Sequence, residues 1–442
     1  MKKITALLLA LTLLVSLAGC AGTTATTQAA ETTAAPAAGP AAAGEQKLTV
    51  WCWDPAFNIY AMKEAEKVYK EKNPDFVLEV IETPWDDVQT KLTTAATSGN
   101  YDTLPDIILM QDNAFQKNAT NFPDAFTDLT NSGIDFTKFG QSKVAYSVVD
   151  GKNYGVPFDN GTSIMALRTD VLAEAGLSVK DFTDITWDQF IALGETVKAK
   201  TGKALFSTLA GSPDLVMQML QSAGESLFKA DGTPNMVDNA ALAEALRVYT
   251  DMVKKGVLVE VNDWDQYIGS FNNGTVAGTM NGCWILGSIQ SAKDQSGKWA
   301  MTNIPKLNNI PNATNYTSNG GSSWFVTSNC KNPELAADFF ANTFAGSVKF
   351  YETILPGSGA LASYLPAGES AVYAQPSEFF GGQKIFADII TFAGKVPSNN
   401  TGVYYYEARD AVGVAITNIV GGADLGAEVK AAEEATLFQM CG

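Results

Sequence analysis

An α/β fold in two lobes is the architecture this sequence predicts, and three observations carry it. The segment Lys47 to Asp112 reads strand, helix, strand, helix, strand, the order that builds a parallel sheet covered by helices. The chain beyond residue 44 exceeds the size at which a single hydrophobic core stops growing, so two cores are expected. The strands also end in aromatic, amide and carboxylate residues, and sheets of this kind bind ligands beyond the carboxyl ends of their strands.

Each element has its own warrant. Lys47 to Trp53 alternates apolar and polar residues, a strand. Tyr60 to Lys72 places Ala61, Ala65, Val68 and Tyr69 at helical spacing and stops at Pro74. Phe76 to Ile81 is the second strand, Trp85 to Ser98 the second helix, ended by Gly99. "PDIILMQD", Pro105 to Asp112, is a fully apolar third strand with polar residues at its end. A hairpin-like turn then leads to Pro157, a strand Ser163 to Leu167 and a helix. Asp188 to Lys200, Pro213 to Ala223 and Asn239 to Lys255 are helices by apolar spacing, the first N-capped by Thr186. "WDQYIGSFNNGTVAGTMNGCW" reads as a helix, a Gly-rich turn, a short strand and a tight turn at Asn281-Gly282 that presents Trp284. Asn319 to Phe340 reads as a strand followed by a helix capped near Asn332.

The N-terminus carries an address. Lys2 and Lys3 precede an apolar run, Ile4 to Leu17, of signal-peptide length and too short to span a bilayer comfortably. It ends in Leu17-Ala18-Gly19-Cys20, which resembles the lipobox of bacterial lipoproteins. In that group the cysteine is lipidated and becomes the mature N-terminus, so residues 1-19 are a signal peptide and Cys20 an anchor to the outer face of the cell membrane. An ordinary secretory peptide with a chance cysteine is the plainer alternative. Residues 20-44 are almost all Ala, Thr, Gly and Pro. They hold nothing large to bury and read as a disordered tether.

Composition excludes several functions. The net charge of −17 makes nucleic acid a poor partner. With no histidine in the chain, Ser-His and Cys-His catalysis and the commonest zinc ligand are absent. Besides Cys20 there are Cys52, Cys283, Cys330 and Cys441, in no metal-binding spacing. Whether they pair is left open by sequence. No cofactor and no metal are expected.

Beyond the lipobox, "WCWD", "PDIILMQD", "YGVPFD", the block ending "NNGTVAGTMNGCW" and "GGSSWFVTSNCKNPELAADFF" follow one another in an order that resembles the family 1 extracellular solute-binding proteins of ABC importers, the maltose-binding-like group. Within it the chain is most similar to the lactose and arabinose-type branch. The resemblance implies a periplasmic-binding-protein type II fold, with 45-157 and 322-375 in one lobe and 158-321 and 376-442 in the other. Crossings are then expected near Pro157 to Thr162, Ser322 to Phe325 and Gln375 to Phe380. It implies a monomer that carries a sugar to the membrane subunits of an ABC permease.

A sugar ring presents an apolar face and a rim of hydroxyls, so its site needs flat aromatics and Asp, Asn, Gln or Arg. The strand ends supply Trp53, Asp54, Asn58, Trp85 and Asp112. The resemblance adds Asp159, Asn160, Trp264, Trp284, Tyr405 and Arg409. It also implies that the glycines before Trp284 let the backbone approach the ligand. Each has a plainer reading: strand-end packing for Trp53 and Asp54, a helix N-cap for Asp112, turn chemistry for Asp159 and Asn160, a surface anchor for Trp264, a core indole for Trp284. Tyr404, Tyr405 and Tyr406 cannot all face one way, so at most two meet a ligand. Where relatives often carry a basic residue after the strand-three Asp, this chain has Asn113. Two other classes stay in view: a membrane-anchored glycoside hydrolase, drawing two carboxylates from Asp54, Asp112 and Asp159, and the same fold with a non-sugar solute.

Overall fold

The computed structural model describes residues 46–397 and 401–441. The signal peptide, the tether and Cys20 lie outside the described residues.

Strand β1 (Lys47–Cys52) leads to α1 (Asn58–Lys70), β2 (Val77–Glu82), α2 (Trp85–Ser98), β3 (Ile107–Gln111) and α3 (Asp112–Asn121). The β-α-β alternation read from sequence is therefore present: β1 pairs in parallel with both β2 and β3. A short helix α4 (Gln141–Ala145) and the two-residue strands β4 (Val148–Val149) and β5 (Lys152–Asn153) precede β6 (Gly155–Asp159). The chain then leaves this sheet and enters a second one at β7 (Ser163–Arg168).

A helical region follows: α5 (Thr169–Glu174), α6 (Trp187–Thr201), α7 (Asp214–Ser222), α8 (Ala240–Lys255) and α9 (Trp264–Asn272), with the parallel pair β8 (Phe206–Leu209) and β9 (Leu258–Val261) among them. Thr186 caps α6 as its sequence predicts, accepting from the Gln189 N–H, while Gln189 returns the bond to the Thr186 backbone. Next come β10 (Gly278–Gly282), α10 (Leu286–Gln290) and β11 (Trp299–Thr302). Strands β10 and β11 flank β7, both antiparallel to it.

Strand β12 (Ser322–Val326) returns to the first sheet, antiparallel between β3 and β6, which completes the order β2-β1-β3-β12-β6. Helices α11 (Pro333–Asn342), α12 (Val348–Ser358), α13 (Leu365–Gly368), α14 (Ile385–Ala393), α15 (Tyr405–Val420) and α16 (Leu425–Cys441) finish the chain.

Each sheet has its own core. Leu48, Val50, Leu109, Val156 and Trp324 pack with α1, α11 and α12 on one face of the first sheet. Trp51, Ile108, Met110 and Phe325 pack with α2 and α3 on the other. In the second half the β7, β10, β11 sheet has a core on each side: Met165, Leu167 and Met280 pack with α6, α7, α8, α15 and α16, and Ile164, Ala166, Trp299 and Met301 pack with α9, α10 and α14. The four cysteines among the described residues are free thiols, with Cys52, Cys283 and Cys330 buried and Cys441 exposed.

One local expectation is corrected. The turn expected at Asn281-Gly282 is strand: β10 runs through both residues, and the turn follows as a short 3₁₀ segment, Cys283–Ile285. The reason is side-chain anchoring. Asn281 accepts from Asn319 Nδ2 at 2.7 Å and donates to the Tyr267 hydroxyl at 3.0 Å, which keeps the strand extended. The glycines also make room for protein neighbours. A Cβ on Gly278 would lie 2.8 Å from the Leu167 side chain, and one on Gly282 would meet the Trp284 indole and lie 2.7 Å from the Asn319 carbonyl. They admit the adjacent strand and the indole.

Candidate ligand-binding cleft

Eight of the eleven candidate residues fall into two groups, and Asp54, Asn58 and Asp159 stand outside them. The first is a line of aromatic rings that passes from the first sheet to the second half. Trp53, just after β1, packs its ring 5.4 Å from that of Trp85, at the start of α2. Trp85 lies 6.2 Å from Tyr406 in the first turn of α15. The Arg409 guanidinium sits 5.8 Å from the centre of the Tyr406 ring and pairs with Asp214 at 2.5 Å. Asp214 opens α7 and shares a small recess with Trp264, Tyr267 and Asn281. Trp264, 38% exposed, packs its ring 5.8 Å from that of Trp284. Trp53, Trp85 and Arg409 thus belong to one chain of contacts through Tyr406, and Trp264 and Trp284 form a separate ring pair, with Trp264 on the recess that Asp214 also lines.

The second group lines a cavity of about 860 Å³ between elements of the two cores. Asp112, Asn160 and Tyr405 are on its wall, with the amides Asn113, Gln221 and Asn319. Tyr405 and Tyr406 part company here. Their rings are near perpendicular, Tyr405 turned to the cavity and Tyr406 to Trp85 and the Gln111 side chain, which accepts from its hydroxyl. Burial pushes the Tyr405 phenol up to about 12, so both rings stay neutral donors at physiological pH.

Helix α15 joins the two groups. Its body packs in the core of the second half through Ala408, Val412 and Ile416. Its first turn rests on the β3–α3 junction, where Glu407 pairs with Lys117 of α3 and Tyr406 bonds Gln111 at the end of β3. Just ahead of it Thr401 bonds Asn113 at 3.2 Å. The candidate ligand residues of α15 are therefore held by both halves.

Asp54 and Asn58 are turned inward, to the backbone. The Asp54 Oδ1 accepts from the N–H groups of Ala56 and Phe57, at 2.8 and 3.1 Å. The Asn58 Oδ1 accepts from those of Trp53 and Asp54, at 3.0 and 2.9 Å. Both side chains are buried, and burial raises the Asp54 carboxyl above its ordinary value. Their arrangement orients Trp53.

Asp112, Asp159 and Lys143 make a buried cluster where β3 and β6 end and β12 begins. Asp112 opens α3 without capping it, and its backbone N–H donates to the Gly321 carbonyl at 3.0 Å. Its carboxylate pairs with Lys143 of α4 and accepts from the Ser323 hydroxyl at 3.0 Å. Lys143 also donates to the Ser322 carbonyl at 2.8 Å. Asp159 accepts from the Ser322 N–H at 2.9 Å and from the Ser322 hydroxyl. Sequence reasoning missed Lys143, Asp214 and Gln221. Only Asp214 left a trace, as a charge one residue inside a helix start at Pro213.

The cluster has two acids to one base. Burial pushes the Asp159 carboxyl up to about 6 from 3.8, against the pull of Lys143. A folded pKa above the unfolded one means that the folded state holds its proton more tightly. Its stabilising effect is complete below about pH 4 and is lost as pH rises through about 6. Asp159→Asn keeps the acceptor for Ser322 and removes that titration. The variant should gain about 2–3 kcal/mol relative to wild type between pH 4 and pH 7, since one pKa unit is about 1.4 kcal/mol. Urea unfolding across that range reads the difference, and parallel curves would refute it.

Comparison with known proteins adds the following. The family described as bacterial extracellular solute-binding protein matches residues 64–376. A lactose-binding protein of Rhizobium radiobacter is 39% identical over 398 residues, 90% of this chain and 93% of the relative. An arabinooligosaccharide-binding protein of Bacillus subtilis is 24% identical over 352 residues, 77% of this chain and 76% of the relative. Among solved structures, an ABC transporter associated binding protein from B. animalis subsp. lactis, in complex with β-1,6-galactobiose, superposes with a TM-score of 0.77 at 20% identity, over 90% of this chain and 98% of that one. The galacto-N-biose/lacto-N-biose I-binding protein of Bifidobacterium longum gives 0.70 at 20% identity, over 89% and 96%. At that identity the two structures establish the fold.

Proposed function

Because the chain belongs to the bacterial extracellular solute-binding proteins, as the family match and the 39% identical relative show, we propose that it captures a di- or oligosaccharide between its lobes and hands it to an ABC permease. The observation that carries this is the two groups of aromatic rings, Trp53-Trp85-Tyr406 and Trp264-Trp284. Trp53, Trp85, Tyr406, Trp264 and Trp284 offer flat apolar faces from both halves of the molecule, and sugar rings pack on such faces. The neutral amides and hydroxyls of the adjoining cavity suit a hydroxyl rim. A polyamine would want several acids around a cation, whereas here Asp112 already has Lys143 and Asp214 has Arg409. The lactose- and arabinooligosaccharide-binding relatives support the same class.

The lobes are 45–157 with 322–375, and 158–321 with 376–442. They move about the segments that join the two sheets, and the protein works as a monomer. Calorimetric titration with lactose, β-1,6-galactobiose and arabino-oligosaccharides tests the ligand class. Small-angle scattering on the same samples tests closure, with a smaller radius of gyration expected once sugar is bound. No heat with any sugar, together with binding of spermidine or an amino acid, would overturn the reading.

Cys20 carries the anchor, and residues 21–44 lift the binding domain from the membrane. The Leu17-Ala18-Gly19-Cys20 sequence supports this. Among the described residues no helix is long and apolar enough to cross a membrane. Cys20→Ser should leave the protein uncleaved or release it to the medium. Unchanged membrane association of the processed variant would sink the idea.

A further inference from the structure

The sequence lacks a basic residue next to Asp112, where Asn113 stands. The structure brings one from α4. The side chain of Lys143 is 6% exposed, that of Asp112 7%, and the two form an ion pair on the wall of the cavity. We propose that Lys143 is a positioning residue of the ligand site: it keeps Asp112 ionised and fixes which edges of its carboxylate face the ligand's hydroxyls. The inference rests on the sugar-binding reading above.

Counting hydrogen bonds supports it. An ionised carboxylate has about four acceptor positions and an ammonium three donors. Asp112 uses one oxygen for Lys143 and the other for the Ser323 hydroxyl. That leaves acceptor capacity on both oxygens, at a cavity wall. Lys143 uses one donor for Asp112 and one for the Ser322 carbonyl, so a third remains. The pair is also fixed from behind. A Cβ on Gly321 would lie 2.7 Å from the Asp112 Oδ2 and 3.7 Å from the Lys143 Nζ, so the β12 approach leaves no room for the pair to retreat.

Charge gives the same assignment. The groups facing Asp112 are Lys143 from α4, Ser323 from β12, Asp159 from β6, Tyr146 just beyond α4 and Tyr406 from α15. Lys143 is the cation of that set. Burial already lifts Asp112 and Asp159 above the ordinary carboxylate value, and Lys143 opposes the lift on both. Without it two carboxyls share a buried site with no counter-charge, and at least one takes up a proton near neutral pH. A protonated Asp112 offers a different pattern of donors and acceptors to a hydroxyl rim.

The test is the pH profile of Lys143→Met beside Lys143→Arg, read in two ways. By calorimetry with lactose, wild type and Lys143→Arg should change affinity by less than threefold between pH 6 and pH 8. Lys143→Met should lose at least tenfold as pH falls across that range. A loss that is equal at every pH would mean a merely structural role and overturn the proposal. Melting without sugar supplies the second reading. Raised carboxyl pKa values in Lys143→Met should make its melting temperature fall more steeply than that of wild type as pH rises from 6 to 8. If wild type binds no sugar, the functional reading fails, and parallel melting profiles overturn the role of Lys143 separately. Should Lys143→Met not fold, Lys143→Met with Asp159→Asn leaves Asp112 as the one buried acid of the cluster and carries the same comparisons.

Discussion

Trp284→Ala is expected to lose stability and sugar binding together, by about 3 and 2 kcal/mol. The indole sits between the alternatives that sequence offered. It is half-buried, and packs partly against the core of the first sheet and partly against that of the second. Truncating a fully buried Trp costs about 3–5 kcal/mol, and a half-buried ring about half of that. Its Nε1–H donates to the Asn319 carbonyl at 2.9 Å, worth about another 1 kcal/mol. Asn319 lines the cavity and stands in the segment that leads back to the first sheet. Releasing it disturbs the site even where the ring itself touches no ligand. The half-buried ring packs beside the exposed Trp264. An anchor in that position is worth about 2 kcal/mol of binding, or about thirtyfold in Kd. Trp284→Phe keeps the packing and loses the donor, so it should cost about 1 kcal/mol of stability. Titration and melting on the same variants decide the matter. An unchanged melting temperature would count against the packing role, and an unchanged Kd of the folded fraction against the cleft role.

The α/β order of the first sheet was legible because it is written locally. Val50 lies in an alternating run, Ile107 and Leu109 in a short apolar one, and the helices that follow carry apolar residues at helical spacing. That two of the candidate aromatics come together was legible for a related reason. Trp53 directly follows β1 and Trp85 opens the helix after β2, and the topology of such sheets delivers strand ends to a cleft. Lys143 left no such signal. It sits on a five-residue helix in a polar-looking stretch, and lysine is almost never buried unless it is paired. Its partner Asp112 is 31 residues earlier, and its carbonyl acceptor 179 residues later, so the pairing exists only in the folded chain.

The glycines of β10 teach the converse lesson. "GTVAGTMNGCW" reads as backbone freed for a turn or a ligand. In the structure Gly282 has φ −55, which any residue adopts. What decides the residue is space, since a Cβ there would collide with the indole two positions on. A sequence shows that a side chain is missing. Which neighbour needs the room is a tertiary fact.

Gly161→Ala is expected to cost about 3 kcal/mol of stability or more and to weaken sugar binding, although residue 161 carries no side chain to touch a ligand. Two effects add. Gly161 has φ +62, a left-handed conformation that costs an L-residue with a Cβ about 1–2 kcal/mol. Its Cβ would also press on the Asn319 carbonyl oxygen and lie 2.9 Å from the Gly320 carbonyl carbon. These are backbone atoms, which cannot rotate away as a side chain can, and overpacking of that kind costs about 1–3 kcal/mol. The two segments that meet here are the links between the sheets. The Asn319 N–H donates to the Gly161 carbonyl at 2.7 Å, and Thr162 bridges Ser318 beside it. Forcing them apart shifts Asn160 and Asn319 on the cavity wall and changes the rest angle of the lobes. Gly99→Ala is the control, because Gly99 has φ +65 and nothing within 4 Å of its would-be Cβ. That variant should lose only the conformational part, about 1 kcal/mol, and bind sugar normally. Urea unfolding and calorimetric titration of the two variants side by side isolate the contact. Equal losses at residues 99 and 161 would show that the linking segments yield freely, and would remove the argument that their close approach sets the geometry of the cleft.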